Sequence, residues 1–245
     1  MSQVKILLCG DRAISLEFGT EITPEISTKI RAFQVALEDS ALPGIVETVP
    51  AYCSLMIYYD PSVIRFASLA DHLLKLSDHL SQIPVLPSEV LEIPVLYGGE
   101  AGPDLDYVAA HNGLTTEEVI RIHSSREYLI HMLGFTPGFT YLGGMSDRIA
   151  VPRMENPRIK ILAGSVGIAG TQTGIYPVDS PGGWRLIGRT PVRMYDPYRA
   201  TPILPRAGWY IHFYPIDQQE YTRIAAQELS GTYVCKRHKR GERTN

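Results

Sequence analysis

Cysteine is scarce in this 245-residue chain: Cys9, Cys53 and Cys235 are odd in number and far apart. No CxxC pair exists, so neither a metal site nor a disulfide framework is indicated, and three free thiols fit a reducing compartment. No apolar run approaches the ~20 residues of a membrane-spanning helix. The opening Met1-Ser2-Gln3-Val4-Lys5 lacks a signal-peptide pattern. The expectation is a cytoplasmic protein with no membrane partner. An excess of one charge is missing too: 26 acidic and 23 basic side chains leave a formal −3, which calls for no nucleic acid or other polyanion. The local exception, Lys236-Arg237-His238-Lys239-Arg240 to Arg243, reads as a solvated, frayed terminus. HExxH and GxSxG are absent, which removes support for zinc proteolysis and α/β-hydrolase chemistry. There is no P-loop, no Rossmann fingerprint and no internal repeat.

What is there is enough apolar material, 44% of residues, for a sizeable core. The length is comfortable for two domains of about 100–200 residues each. The first ninety residues alternate strands and helices. Residues 4–8 and 13–18 read as strands around Gly10-Asp11-Arg12, with Ile14, Leu16 and Phe18 alternating against Ser15 and Glu17. Thr23-Pro24 opens a helix with an apolar stripe of Ile26, Ile30, Phe33 and Leu37. Residues 45–49 and 54–59 read as a strand pair, and Phe66, Leu69, Leu73, Leu76 and Leu80 lie on one face of a second helix. On that helix His72 and His79 are expected to be exposed. This order suggests a small ferredoxin-like α+β domain over residues 1–84, with the proline-bearing segment 82–88 as linker.

Residues 85–245 read differently. Two short helices come first, at 103–110 and from Thr115, where Glu118 three residues on makes a capping box. After a strand at 128–133 the chain becomes short strands punctuated by Gly and Pro, with candidates at 165–169, 184–187, 192–195 and 209–214, the pattern of a sandwich or barrel. Three Gly-rich segments stand out: 97–104, 134–144, and 163–177 continued by 180–184. Such loops let other groups approach the backbone closely, but they are also the turns of a tight barrel. Phe135, Phe139, Tyr141, Tyr176 and Trp184 lie in or beside them, which favours an aromatic-walled pocket. Glu100 is a carboxylate on a Gly loop, whereas Asp104 reads as a helix-start acid. His123 is either an acid/base near neutral pH or a satisfied structural histidine. Arg158 and Arg189 suit a carboxylate or phosphate in bidentate fashion, or else sit in surface ion pairs. Ser165 and Gln172 offer neutral hydrogen bonds.

Taken together, Tyr97-Gly98-Gly99-Glu100 with Gly102-Pro103-Asp104-Leu105, Gly134-Phe135 with Pro137-Gly138-Phe139, Gln172-Thr173-Gly174-Ile175-Tyr176-Pro177, Ser180-Pro181-Gly182-Gly183-Trp184 and Leu186-Ile187-Gly188-Arg189-Thr190-Pro191 resemble the allophanate hydrolase subunit 1 family. The likeness runs over roughly residues 5–216. That family includes the B subunits of 5-oxoprolinases and KipI-type inhibitors of a histidine kinase. The resemblance implies a cyclophilin-like, mainly-β barrel behind the α+β domain. It also implies partnership with the A and C subunits of a 5-oxoprolinase in hydrolysing 5-oxo-L-proline to L-glutamate, with ATP as cofactor of the complex. The alternatives it carries are a histidine-kinase inhibitor and a urea- or allophanate-processing subunit. On this reading Glu100 and His123 do acid/base or orienting work. Ser165, Arg158, Gln172 and Arg189 hold the anion or amide, and Tyr176 and Trp184 wall the pocket. One departure is Arg206-Ala207-Gly208-Trp209, where the family leads one to expect a Pro-Gly-Asp turn.

Overall fold

A computed structural model describes residues 4–80 and 87–241. It divides into two compact units, one ending at Pro87 and the other beginning at Ser88. Most of the expected linker, residues 82–86, lies outside the described residues.

In the first unit β1 (Lys5–Leu8) and β2 (Ala13–Glu17) precede α1 (Pro24–Asp39), which is followed by β3 (Ile45–Pro50), β4 (Ser54–Tyr59) and α2 (Phe66–Asp78). The strands form one antiparallel sheet in the order β1-β2-β4-β3. The Thr23 hydroxyl accepts from the Ile26 N–H at 3.2 Å and caps α1 as its sequence signals. Ile30, Phe33 and Leu37 of α1 and Leu69 and Leu73 of α2 bury against Ile14, Leu16, Leu55 and Ile57 of the sheet. His79 is exposed, but His72 is half-buried. Three residues after Leu69, it lies on the flank of the buried stripe. The unit is thus an α+β layer whose elements run β-β-α-β-β-α.

The second unit contains β5 (Glu89–Tyr97), α3 (Leu105–Asn112), α4 (Thr116–Ser124), β6 (Glu127–Leu133), β7 (Thr140–Gly143), β8 (Arg158–Ile161), β9 (Ser165–Ala169), β10 (Gln172–Ile175), β11 (Ser180–Gly182), β12 (Arg185–Arg189), β13 (Tyr210–Pro215), α5 (Gln218–Leu229) and β14 (Arg237–Lys239). The sheet order β12-β9-β10-β7-β6-β13-β5 closes when β5 pairs back onto β12 through Gly188↔Tyr97 and Arg189↔Leu96. Closure removes part of the free edge that an open sheet would expose, since β12 covers β5 only at Leu96 and Tyr97. The interior is filled by Leu91, Ile93, Ile130, Val166, Ile168, Ile175, Ile187, Ile211 and Phe213. The capping box at Thr115 and Glu118 is present, and Gly113, at φ 64°, closes α3.

Two expectations need correction. Residues 192–195 do not form a strand. Val192 and Met194 are buried in alternation, as a strand would bury them, but side chains claim the backbone donors. Val192 N–H goes to Thr190 Oγ1 and Arg193 N–H to Glu228 Oε1. The basic run is also not frayed over its length. β14 pairs with β5 through Arg237↔Leu91, His238↔Val90 and Lys239↔Glu89, on the stretch of β5 that β12 leaves uncovered.

Candidate functional site

The first Gly-rich segment leaves the end of β5 and folds back on β12. Gly98 N–H donates to Ile187 O at 3.0 Å and Asp104 N–H to Leu186 O at 2.9 Å. A Cβ at Gly102 would overlap the Ile187 carbonyl, so the close approach requires glycine there. The segment ends at Asp104, which is buried and does not cap α3 with its side chain. Instead Oδ2 accepts from Leu186 N–H at 2.6 Å, Oδ1 from Arg158 Nη2 at 2.9 Å, and Arg185 Nη1 stands 3.8 Å away. Arg185 in turn lies over the Tyr107 ring, 3.7 Å from its centre. Asp104 therefore ties the first Gly segment to β8 and β12. Arg158, expected to hold a ligand, is the partner of this internal carboxylate. Both readings weighed for it from sequence missed Asp104, because the two residues lie 54 positions apart.

The second and third segments meet in an aromatic knot. Phe139 stands edge-on to Tyr176 and Trp184 at 5.7 Å each, and Tyr176 and Trp184 are 6.2 Å apart. Tyr176 and Trp184 are almost fully buried there with Ile161, Ala169 and Leu186. Burial also raises the Tyr176 hydroxyl pKa. These rings were expected to wall an open pocket, but they pack against one another, as edge-to-face geometry favours. The three segments thus come together as a packed unit rather than around one hollow.

His123 lies inside the barrel with no solvent exposure. Its ring stacks on Phe213 at 4.6 Å. Thr173 Oγ1 donates to Gly167 O at 3.0 Å, so it must accept from His123 Nε2–H at 2.8 Å. Nδ1 is then the acceptor for Tyr97 O–H at 2.7 Å. One tautomer of a neutral imidazole satisfies the whole chain of hydrogen bonds. Burial pushes its pKa down to about 3, so the ring stays neutral at physiological pH. Of the two readings, acid/base or structural, this placement fits the second.

An open cavity of 570 Å³ does form where the first Gly segment meets the end of β12 and α5. Its lining includes Tyr97, Gly98, Gly99, Glu100, Arg189 and Tyr221. Glu100 is exposed. Arg189 is anchored by Nε to Ala163 O at 3.0 Å and also borders an adjoining cleft of 200 Å³. Ser165 is buried on β9, in register with Arg189. Gln172 opens β10 and is half-buried, paired with Ala169 rather than lining this cavity. So Glu100 and Arg189 are brought together, while His123 reaches the cavity only through Tyr97. Sequence reading missed Tyr97 and Tyr221. Tyr97 could have been found from its place beside the Gly pair, but nothing marked Tyr221, since α5 was not recognised. No helix among the described residues is long and apolar enough to cross a membrane.

The comparisons agree with the motif-based resemblance. A family model described as carboxyltransferase domain, subdomain C and D, matches residues 4–205. The B subunit of the 5-oxoprolinase of Bacillus subtilis (strain 168) is 44% identical over 222 residues, covering 86% of this chain and 92% of that protein. The crystal structure of TTHA0988 is 38% identical with a TM-score of 0.74, covering 84% of this chain. This chain spans only 40% of that longer polypeptide. The Kluyveromyces lactis urea carboxylase, 22% identical with a TM-score of 0.74 over 96% of this chain and 24% of its own, shares the fold. The chain therefore belongs to the carboxyltransferase-domain family of subdomains C and D, as a homologue of the B subunits of bacterial 5-oxoprolinases.

Proposed function

We propose that this chain is the B subunit of a cytoplasmic, ATP-dependent 5-oxoprolinase complex that hydrolyses 5-oxo-L-proline to L-glutamate together with its A and C subunits. The observation that carries the reading is the 44% identity to the B subunit of a 5-oxoprolinase across 92% of its length. A urea- or allophanate-processing role has weaker support, since the urea carboxylase likeness is one of fold at 22% identity. In structural terms the first unit is a ferredoxin-like layer with its last strand moved to the front of the chain. The order β1-β2-β4-β3, with a helix after β2 and after β4, supports that description. The seven-stranded closure of the second unit supports a cyclophilin-like barrel.

The working groups are Glu100 and Arg189, at the mouth of the 570 Å³ cavity. Opening the lactam breaks its C–N bond, delivers hydroxyl from water to the carbonyl carbon and returns a proton to the ring nitrogen. Phosphorylation of the carbonyl oxygen by ATP, with loss of ADP, would make that carbon a better electrophile. Once water has added and the C–N bond has broken, a second water would release the phosphate and supply the second carboxylate oxygen. Arg189 suits the carboxylate of 5-oxoproline, since a guanidinium fork matches it in two hydrogen bonds. Glu100 suits a water that must be oriented or deprotonated. One cation balanced by one carboxylate is too little positive charge for a triphosphate, so the nucleotide belongs elsewhere in the complex. Ser165 and Gln172 support the strands beside Arg189, and His123 is a positioning residue that fixes Tyr97. Arg158, Tyr176 and Trp184 hold the loops that shape the cavity. In the fully assembled complex, Arg189→Ala should lower kcat/KM for 5-oxoproline about a hundredfold, the loss of a charge-assisted pair, with the subunits still co-eluting. An unchanged rate would remove Arg189 from the site.

A further inference from the structure

A second cavity of the second unit, 1190 Å³, shares no lining residue with the site above. It forms where β14 completes the edge of β5. Lys236, Arg237, His238 and Arg240 line it from the β14 segment, Glu92 from β5, His212 and Tyr214 from β13, and Ser125, Arg126 and Glu127 from the α4–β6 junction. Four permanent cations thus face two carboxylates, in a chain whose overall charge is −3. Both carboxylates are already engaged. Glu92 Oε2 takes His212 Nδ1 at 2.8 Å and Glu92 Oε1 lies 3.7 Å from His238. Glu127 takes Arg240 Nε at 2.8 Å.

The cations are held but not used up. Arg240 lies over the Tyr210 ring at 3.8 Å and gives Nη1 to its hydroxyl at 2.8 Å, which leaves Nη2 without a partner among the described residues. Arg126 is fixed through Nη1 to Gly144 O at 2.8 Å, leaving its Nε and Nη2 available there. Arg237 has one long ion pair, 3.4 Å to Glu89, and lies 5.8 Å from the centre of the Trp209 ring. Lys236 is exposed and makes no ion pair among the described residues. Most of these groups lie beyond residue 205, where the family match ends.

We propose that this cavity binds a compact multivalent anion, coordinated by Arg126, Arg240, Arg237 and Lys236. Phosphate esters and polycarboxylates share the required chemistry, because guanidinium forks pair with either kind of oxygen. β14 would then form one wall of a second ligand site, not a solvated tail.

Isothermal titration calorimetry on the full chain, with pyrophosphate and citrate as separate probes, tests this. The expected result is one saturable event for at least one probe, weakened by added salt as Coulombic binding must be. Saturation by pyrophosphate alone assigns a phosphoryl ligand, by citrate alone a carboxylate ligand, and by both the shared chemistry. Combining Arg126→Ala with Lys236→Ala, both exposed and so neutral for folding, should weaken that binding at least about tenfold. Arg126→Lys, which keeps the charge, should weaken it less. No saturable binding of either probe, or binding unchanged in the double variant, would overturn the proposal.

Discussion

Replacing His123 by Ala should destabilise the second unit by about 4 kcal/mol, the combined cost of a core cavity and orphaned polar groups. The imidazole fills space against Phe213 and Tyr128. Its removal would leave the Tyr97 and Thr173 hydroxyls without their shared partner. The same residue sets a pH dependence whose sign follows from its buried state. In the folded chain its pKa is about 3, against 6.5 for an ordinary histidine. Between those values the unfolded chain binds one proton more, so acid favours unfolding. The contribution of His123 is fully present above the unfolded value. It is lost as pH falls from there toward the folded value, at about 1.4 kcal/mol per pH unit. His123→Gln, which can still accept from Tyr97 and donate to Thr173, should remove that slope. Urea midpoints of the two proteins across the acid range check this, and parallel curves would contradict it.

Asp104→Ala is the second large expected loss, about 3 kcal/mol, near the lower end of the range for breaking a buried ion pair. The lower end applies because Arg158 keeps a quarter of its side chain in water. The change strips a partner from Arg158 and Arg185 and leaves the Leu186 N–H unpaired. For a chain of this size that corresponds to a fall in Tm of about 6–12 °C. Arg158→Met in the Asp104→Ala background should add little further loss, because the pair acts as a unit. A melting point within about 2 °C of the parent would mean that the first Gly segment is held by its backbone bonds alone.

Much of the architecture could be read from local chemistry. Thr23, Thr115 with Glu118, and Gly113 marked helix ends because capping is a property of neighbouring residues. Ile14 and Leu16 marked a strand because a half-buried sheet alternates. The motifs around Gly98, Gly138 and Gly174 identified the family for the related reason that close backbone approach permits few substitutes. What escaped was decided by partners distant in sequence. β5 escaped although Leu91, Ile93 and Val95, buried in the barrel core, alternate with Glu92 and Pro94, because a proline in mid-run is unusual in a strand paired on both sides. Residues 192–195 had a strand's burial pattern but lost their ladder to Thr190 and Glu228. The basic run around Arg237 read as a solvated, frayed terminus, yet β5 had an uncovered edge for it. Asp104 and His123 were visible as chemistry but not as environment. One turned out to be a structural clamp and the other a neutral core group, while Glu100 and Arg189 share an open cavity.

The central claim is that this chain is a working member of an ATP-dependent 5-oxoprolinase. The direct measurement is glutamate released from 5-oxo-L-proline by the co-expressed A, B and C subunits, with this chain in the B position and with ATP or this chain left out in turn. The account predicts release only when ATP and all three chains are present. Release that is undiminished without this chain, or none from the complete ATP-supplied mixture, would contradict it.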